Sequence, residues 1–185
     1  MPHEIEAKYR LDSFAAIRKL LRQAGAELIQ SVEETDQFFD TPGATLLRAD
    51  CGLRIRTTRL LPLRGAAKRR KVPPLVTYKG PRDKASPIKV RLEVQTHVED
   101  AAALAEILAA LGYRPGLVVR KRRTSYRLGR CRVELDDLPG LGKFVEVEGP
   151  TQAAVQRACR RIGLDGESIT RSYVSMVAGQ KSSTS

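Results

Sequence analysis

The stretch CRVELDDLPGLGKFVEVE, residues 131–148, decides the fold. Charged and apolar residues alternate on both sides of Pro139-Gly140-Leu141-Gly142, a combination of residues that is typical of a hairpin turn. Because alternate residues of a β-strand point to the same side, the stretch predicts two antiparallel strands with one apolar and one charged face. The charged face carries Arg132, Glu134, Asp136, Glu146 and Glu148.

The same alternation continues along the chain, in strands predicted at about 3–10, 52–60, 75–80, 88–98 and 115–128. Their charged faces carry Glu4, Glu6, Lys8 and Arg10, then Arg54, Arg56, Lys79, Lys89, Arg91 and Glu93, and finally Lys121 and Arg123. Another strand is predicted at about 27–40, and helical spacing predicts helices after Ser13, after Asp100, at about 151–162 and at about 168–177. Strands in hairpin order favour an antiparallel sheet, so we expect a β-rich α+β fold.

Two arrangements explain a sheet with one charged face. In the first, the charged face is wet, as in many antiparallel sheets. In the second, the sheet curls until the charged faces line a shared cavity and the apolar faces pack outward against helices. The density of Glu, Asp, Lys and Arg favours the cavity, because a solvent-facing surface usually mixes in Ser, Thr, Asn and Gln. Such a cavity suits a polyphosphate bound to Arg and Lys, with divalent cations bound to the carboxylates.

Length and charge limit the class of protein. With 185 residues, the chain is predicted to form one domain over residues 1–178, followed by a disordered polar tail at 179–185. The sequence has no apolar run of bilayer length and no signal peptide at its start, so we expect a cytoplasmic protein without membrane contact. The net charge of +12 indicates an anionic partner.

Several common kinds of site are disfavoured. The three cysteines lie far apart, which argues against a disulfide framework or a zinc site, and two histidines offer little for histidine-based catalysis. The run Lys68-Arg69-Arg70-Lys71 is interpreted as a solvated loop in preference to a nucleic-acid patch, because such short basic runs are common.

A series of short motifs carries a family resemblance over residues 4 to about 177. In chain order they are Glu4-Ile5-Glu6-Ala7-Lys8, Asp36-Gln37-Phe38-Phe39-Asp40, Leu53-Arg54-Ile55-Arg56, Thr77-Tyr78-Lys79-Gly80-Pro81, Val119-x-Lys121-x-Arg123-x-x-Tyr126, Leu135-Asp136 with Leu141–Glu148, and Ser172-Tyr173. The first resembles the ExExK signature of the CYTH superfamily, the triphosphate tunnel metalloenzymes, and the others resemble its later motifs in the same order. The pattern is most similar to the class IV adenylate cyclase type, of which thiamine and inorganic triphosphatases are relatives.

The resemblance implies an eight-stranded antiparallel closed β-barrel with helices outside, a triphosphate tunnel, and Mg²⁺ or Mn²⁺ as cofactor. It assigns metal binding to Glu4, Glu6, Glu146 and Glu148. It assigns phosphate binding to Lys8, Arg54, Arg56, Lys79, Arg91, Lys121 and Arg123, and catalytic roles to Lys8 and Asp136. Arg10, Lys89, Arg122 and Glu134 are lesser candidates that could equally be salt-bridge partners. One departure is Gln95, which stands where many relatives carry an acid and leaves the role of Glu93 open.

The resulting hypothesis is a metal-dependent enzyme that converts ATP to cyclic AMP and pyrophosphate. A triphosphatase acting on tripolyphosphate or thiamine triphosphate in the same tunnel is the first alternative. A polyphosphate-binding domain without turnover is the second. A nucleic-acid-binding module is disfavoured because acids interleave with bases on the same strand faces, whereas such a module should show a basic face free of acids. A homodimer is left open as the assembly.

Overall fold

The computed structural model describes residues 3–62 and 72–182. The strands are β1 (His3–Leu11), β2 (Glu27–Asp40), β3 (Gly52–Leu60), β4 (Leu75–Arg82), β5 (Lys89–His97), β6 (Arg114–Leu128), β7 (Cys131–Leu138) and β8 (Gly142–Glu148). The helices are α1 (Phe14–Gln23), α2 (Thr45–Arg48), α3 (Ala101–Ala110), α4 (Gln152–Arg161) and α5 (Tyr173–Ser182). All neighbouring strands are antiparallel and close a barrel in the order β1-β5-β4-β3-β2-β6-β7-β8, which confirms the predicted fold.

Strand register aligns the charged faces inside the barrel. On β1 and β8, Lys8 lies opposite Glu146, and on β2 and β3, Asp36 lies opposite Arg56. A shift of one residue would turn each of these side chains to the outer face. The predicted hairpin between β7 and β8 is present, and its Gly142 has a φ of 111°, which L side chains rarely adopt.

The apolar faces point outward and are covered by helices. Helices α1 and α4, which begin at Ser13 and Thr151 caps, pack over β1, β7 and β8 around Val133, Val145 and Val147. Helix α3 packs over Phe39 and Ile55 of the outer face. Helix α5 instead packs against Val119 and Phe144, which have the phase of the charged inner face, so α5 lies against the cavity. No helix within the described ranges has the length and apolar character needed to cross a bilayer.

The C-terminal region differs from the expectation. Residues 168–172 do not open a helix; instead the Ile169 amide donates to the Lys8 carbonyl at 2.7 Å, and the Lys8 amide donates to Ser168 Oγ at 3.2 Å. Strand β1 has free backbone groups there because its pairing with β5 ends at Glu6. Helix α5 extends to Ser182, beyond the predicted start of the tail at residue 179, and Gln180 Nε2 donates to the Gly140 carbonyl.

Two other details of the sequence analysis also need comment. Helix α2 was not predicted, because its one turn depends on the Asp40 carboxylate, which accepts from the Leu46 and Leu47 amides at 2.9 Å each. The basic run Lys68–Lys71 lies outside the described residues.

Candidate active site

The barrel encloses a cavity of about 810 Å³ whose wall is dominated by charge. Among the described residues, ten Lys and Arg side chains and nine Asp and Glu side chains line it. The basic ones are Lys8, Arg54, Arg56, Lys79, Lys89, Arg91, Lys121, Arg123, Arg130 and Arg132. The acidic ones are Glu4, Glu6, Glu34, Asp36, Asp50, Glu93, Glu134, Glu146 and Glu148. The cavity arrangement, and not the wet sheet, is therefore correct.

One arc of the wall, on β3, β2 and β6, has an excess of cations. We call it the basic sector, and it comprises Arg54, Arg56, Lys121 and Arg123 with Glu34 and Asp36. Arg56 binds Asp36 through two hydrogen bonds of 2.6 and 2.8 Å, and Arg54 donates to the same carboxylate at 2.9 Å. These guanidinium groups hold the pKa of Asp36 well below its usual range despite nearly complete burial.

Lys121 shows that the basic sector is not fully compensated. Its ammonium lies 3.3 Å from Glu34 and 3.6 Å from Asp36. Burial, followed by repulsion from Arg123 and Arg56, nevertheless lowers the Lys121 pKa below its ordinary value. A positive charge at this position is therefore unfavourable until an anion enters the cavity.

The opposite arc, on β8, β1, β5 and β4, has an excess of carboxylates. We call it the acidic sector, and it comprises Glu4, Glu6, Glu93 and Glu148 with Lys79 and Lys89. Lys79 Nζ lies 2.5 Å from Glu4 and 2.8 Å from Glu93, while Lys89 pairs with Glu6. Glu148 faces the cavity and forms no ion pair with another described residue. Burial and the charges of Glu4, Glu6 and Glu93 raise the pKa of Glu148 to about 7.

The acidic sector fits a hard divalent cation by its chemistry, although its side chains are not arranged around one. Oxygen donors are the ligands that Mg²⁺ and Mn²⁺ prefer, and the raised Glu148 pKa shows mutual repulsion that a cation would relieve. Across residues 3–62 and 72–182, no group of three or more His, Cys, Asp or Glu side chains forms a ready metal-binding cluster. Glu4 and Glu6 are instead paired with lysines.

Lys8 lies deep in the cavity wall and connects the sectors. Its ammonium lies 3.1 Å from Glu146 and donates to the Arg171 carbonyl at 3.1 Å. Glu146 also contacts Arg123 at 2.6 Å, and these cations keep the Glu146 pKa well below its usual range. Glu146 is therefore held by cations, unlike Glu148.

Asp136 does not line the cavity. It is fully buried behind Arg123, whose guanidinium binds both of its oxygens, at 2.5 and 2.6 Å. This geometry supports a positioning role through Arg123 and not contact with a substrate. Glu134 does line the cavity, where its carboxylate accepts from Ser125 Oγ at 2.6 Å.

The structure does not bring three other predicted cations into the same role. Arg91 lines the cavity but donates to the carbonyls of Gly80 and Asp50. Arg10 is exposed beyond the charged wall, where it stacks on the Phe144 ring and donates to the Leu141 carbonyl. Arg122 points to the outer face and pairs with Glu33.

Sequence reasoning assigned no role to Glu34, Asp36 or Tyr173. The first two follow the same alternation along β2 as the charged residues of the other strands, so the signal was present there. Tyr173 was noted only within the Ser172-Tyr173 motif, and strand alternation could not place it because it reaches the cavity from the first turn of α5.

Two buried donors in the cavity wall lack an acceptor among the described residues. They are Nε of Arg54 and the hydroxyl of Tyr173. Buried polar groups in proteins are nearly always hydrogen-bonded, so such donors indicate a ligand with acceptor oxygens.

Comparison with known proteins places the chain among relatives of similar length. The family model described as the CYTH domain matches residues 2–173. Adenylate cyclase CyaB of Aeromonas hydrophila is 30% identical over 182 residues, which cover 92% of this chain and 86% of the relative. A solved structure from Pyrococcus horikoshii is similar with a TM-score of 0.78 and 26% identity, covering 96% of this chain and 99% of the other. A Hippeastrum protein, named for adenylyl cyclase but described as having a dominant triphosphatase activity, shares the fold with a TM-score of 0.69 and 18% identity, over 96% of each chain.

Proposed function

Because the chain belongs to the CYTH domain family, we propose that it is a metal-dependent enzyme that binds a triphosphate inside its barrel. The proposed reaction is that of a class IV adenylate cyclase, in which ATP gives cyclic AMP and pyrophosphate. The observation that carries the proposal is the division of one cavity wall into a basic and an acidic sector. A triphosphate and a divalent cation together would neutralise both.

The basic sector supplies the phosphate-binding groups of the proposal. Arg54 and Arg56 offer forked donors to phosphate oxygens, and Lys121 adds a point charge. Lys8 and Arg123 extend this set toward Glu146. Lys79 is the phosphate-binding cation that the acidic sector would supply. Arg91 is the least available for phosphate binding, because its guanidinium already donates to two backbone carbonyls.

Glu4, Glu6, Glu146 and Glu148 would hold Mg²⁺ or Mn²⁺ in this proposal. The bound cation would supply Lewis-acid polarisation of phosphate oxygens. Among these four, Glu4, Glu6 and Glu146 form ion pairs with described lysines or arginines and Glu148 does not, so Glu148 is the carboxylate most available to a metal.

Catalysis in this scheme depends on charge and alignment, as in other phosphoryl and nucleotidyl transfers. The ribose 3′ hydroxyl oxygen forms a bond to the α-phosphorus, the bond from that phosphorus to the bridging oxygen breaks, and pyrophosphate leaves with the proton that the hydroxyl gives up. Lys8 has a catalytic role through the charge that it places beside the phosphates. Asp136 acts indirectly, because it holds the Arg123 guanidinium in place.

Hydrolysis of a triphosphate is the second candidate reaction, and the composition of the wall favours it. Phe38 and Tyr173 are the aromatic side chains that line the described part of the cavity, and Tyr173 lies against the ammonium of Lys8. Phe39 and Tyr126 pack in the outer core and are not available to stack on adenine. A triphosphatase needs only the phosphate and metal groups, so tripolyphosphate and thiamine triphosphate are the alternative substrates.

The products formed from ATP decide between the two reactions. The protein would be incubated with ATP and Mg²⁺ or Mn²⁺, with tripolyphosphate and thiamine triphosphate in parallel, and all products would be resolved. Cyclic AMP with pyrophosphate supports the cyclase. ADP with orthophosphate, together with faster turnover of tripolyphosphate, supports the triphosphatase, and no turnover of any triphosphate contradicts both.

Binding can be tested separately from turnover. At a hundredfold excess over the dissociation constant, a ligand contributes about 2.7 kcal/mol to stability, which is roughly 5–10 °C in Tm for a chain of this length. Tripolyphosphate with Mg²⁺ should give this shift, and duplex DNA at equal charge concentration should give much less. A larger shift with DNA would favour nucleic acid as the partner.

A further inference from the structure

We propose that the hydroxyl of Tyr173 donates a hydrogen bond to a phosphate oxygen of the bound triphosphate, an inference that rests on the proposed function. Tyr173 is the first residue of α5, and 8% of its surface is exposed. Its side chain lines the cavity, and its hydroxyl has no hydrogen-bond partner among the described residues. A buried hydroxyl without a partner is costly, and such a group indicates an acceptor that arrives with a ligand.

The surroundings of the ring identify the chemistry of that acceptor. Lys8 Nζ lies 3.8 Å from the centre of the Tyr173 ring, and Lys121 Nζ lies 5.3 Å from it. The ring that carries the hydroxyl therefore lies near two ammonium groups that attract an anion. The neighbouring carboxylates do not supply the acceptor, because Glu146 is held by Lys8 and Arg123, and Asp136 is held by Arg123.

Tyr173 can act as a donor over the whole physiological pH range. Burial, followed by the charges of Glu146 and Asp136, raises its pKa well above the ordinary value of 10. The hydroxyl therefore keeps its proton, and it adds a neutral donor to a site whose other phosphate groups are cations.

The ring of Tyr173 has a structural role that is separate from the proposed role of the hydroxyl. It meets the Phe144 ring edge-on, with the centroids 5.2 Å apart, and it supports the Lys8 ammonium. A phenylalanine at this position keeps these contacts and removes only the hydroxyl. Tyr173→Phe therefore separates a ligand contact from a packing role.

The test compares Tyr173→Phe with the unmodified protein in two measurements. Tripolyphosphate affinity would be measured by calorimetric titration without added metal, so that no turnover occurs, and again with Mg²⁺. The Tm of the ligand-free protein would be measured in the same buffer. We expect tripolyphosphate binding about ten- to hundredfold weaker in the variant, because a hydrogen bond to a charged acceptor is lost. We expect an equal or higher Tm without ligand, because the variant removes a buried donor that has no partner.

Tyr9→Phe is the matched control. Tyr9 lies on the outer side of β1, where its hydroxyl interacts with Cys159, so this variant removes a hydroxyl that lies outside the cavity. It should lower the Tm of the ligand-free protein and leave tripolyphosphate affinity unchanged.

The outcomes distinguish this inference from the proposed function. If the unmodified protein binds tripolyphosphate and Tyr173→Phe binds it equally well, the inference is overturned and the proposed function stands. If Tyr173→Phe lowers the Tm without ligand, the hydroxyl has a structural role and the inference is likewise overturned. If the unmodified protein does not bind tripolyphosphate with or without Mg²⁺, both fail.

Discussion

The basic and acidic sectors are built from the same residue types on the same barrel, yet they have opposite excess charge. The basic sector has four cations and two carboxylates, whereas the acidic sector has four carboxylates and two cations. The consequence is visible at one residue in each. Burial, followed by repulsion from like charges, lowers the pKa of Lys121 and raises the pKa of Glu148.

The difference indicates that each sector depends on its less numerous charges, which we call its minority charges. These are the carboxylates of the basic sector and the lysines of the acidic sector. Asp36 binds two guanidinium groups directly, and Lys79 and Lys89 bind the carboxylates on the other side. Removing a minority charge should therefore destabilise the fold. Removing one of the more numerous charges, the majority charges, should weaken ligand binding and leave the unfolding free energy unchanged.

Asp36→Asn should have the largest effect, on stability. The substitution leaves Arg54, Arg56 and Lys121 buried without their common carboxylate. Breaking a buried ion pair by removing one partner costs about 3–5 kcal/mol. Urea denaturation would measure the loss of unfolding free energy. The control is Glu33→Gln on the outer face, where the partners Arg59 and Arg122 are exposed; an equal loss in both variants would contradict the distinction.

Lys121→Met should act on function and not on stability. It removes a majority charge of the basic sector, and a charge-assisted phosphate contact contributes about 1.5–3 kcal/mol, so we expect turnover or affinity to fall about ten- to hundredfold. Urea denaturation should show equal or higher stability, because the Lys121 pKa is already lowered. Arg120→Met removes the same charge from the exposed outer face one residue away and should leave activity unchanged. An unfolded or fully active Lys121→Met would contradict the assignment.

Glu146→Gln and Glu148→Gln should differ from each other. Each removes a carboxylate from the proposed metal site, so the Mg²⁺ concentration for half-maximal activity should rise about tenfold or more. Only Glu146→Gln should also destabilise the metal-free protein, because Lys8 and Arg123 lose their carboxylate. Metal titration of activity, with denaturation in a chelator, would measure both; unchanged Mg²⁺ dependence in both variants would refute the metal assignment.

The smallest expected effect is a pH dependence at Glu148. Its pKa of about 7 lies above the ordinary 4.5, so the folded state holds a proton that the unfolded state releases. The proton's contribution to the free energy of unfolding is fully present below about pH 4.5 and is lost as pH rises through about 7. Glu148→Gln should therefore gain stability relative to the unmodified protein between pH 5 and 8 without metal. Because Glu148 is solvent-exposed in the cavity, the gain should be about 1 kcal/mol or less. A gain that is constant with pH would show that the charge of Glu148 is not its cause.

Much of the fold could be predicted, because the alternation of charged and apolar residues shows which residues of each strand share a face. Strand β2 begins and ends at the predicted residues, and the alternation on β1, β3 and β5 placed their charged residues inside. The density of charge on the alternating faces favoured a closed cavity, and the family resemblance supplied the eight-stranded barrel. The start of α5 was misjudged because residues 168–172 bond with β1, a contact between distant parts of the chain.

The ion pairs between side chains of the site could not be predicted from the sequence, because they depend on the register between strands. The sequence places Asp36 and Arg56 on different strands, and only the pairing of β2 with β3 sets them opposite each other. Asp136 has the phase of a cavity residue, but Arg123 covers it. Arg10 also has that phase, but it lies where the charged wall ends.

The near balance of charge on the cavity wall has a consequence for the rate at which a substrate arrives. Among the described residues, the wall has ten cations and nine carboxylates, whereas the whole chain has a net charge of +12. An anionic metabolite therefore meets an attractive potential before it reaches the barrel, and such steering accelerates diffusional encounter. Dissolved salt screens this long-range attraction over roughly 8 Å at physiological ionic strength, while contacts inside the barrel are screened much less. Encounter and retention are thus controlled by different parts of the molecule, and ionic strength acts mainly on the first.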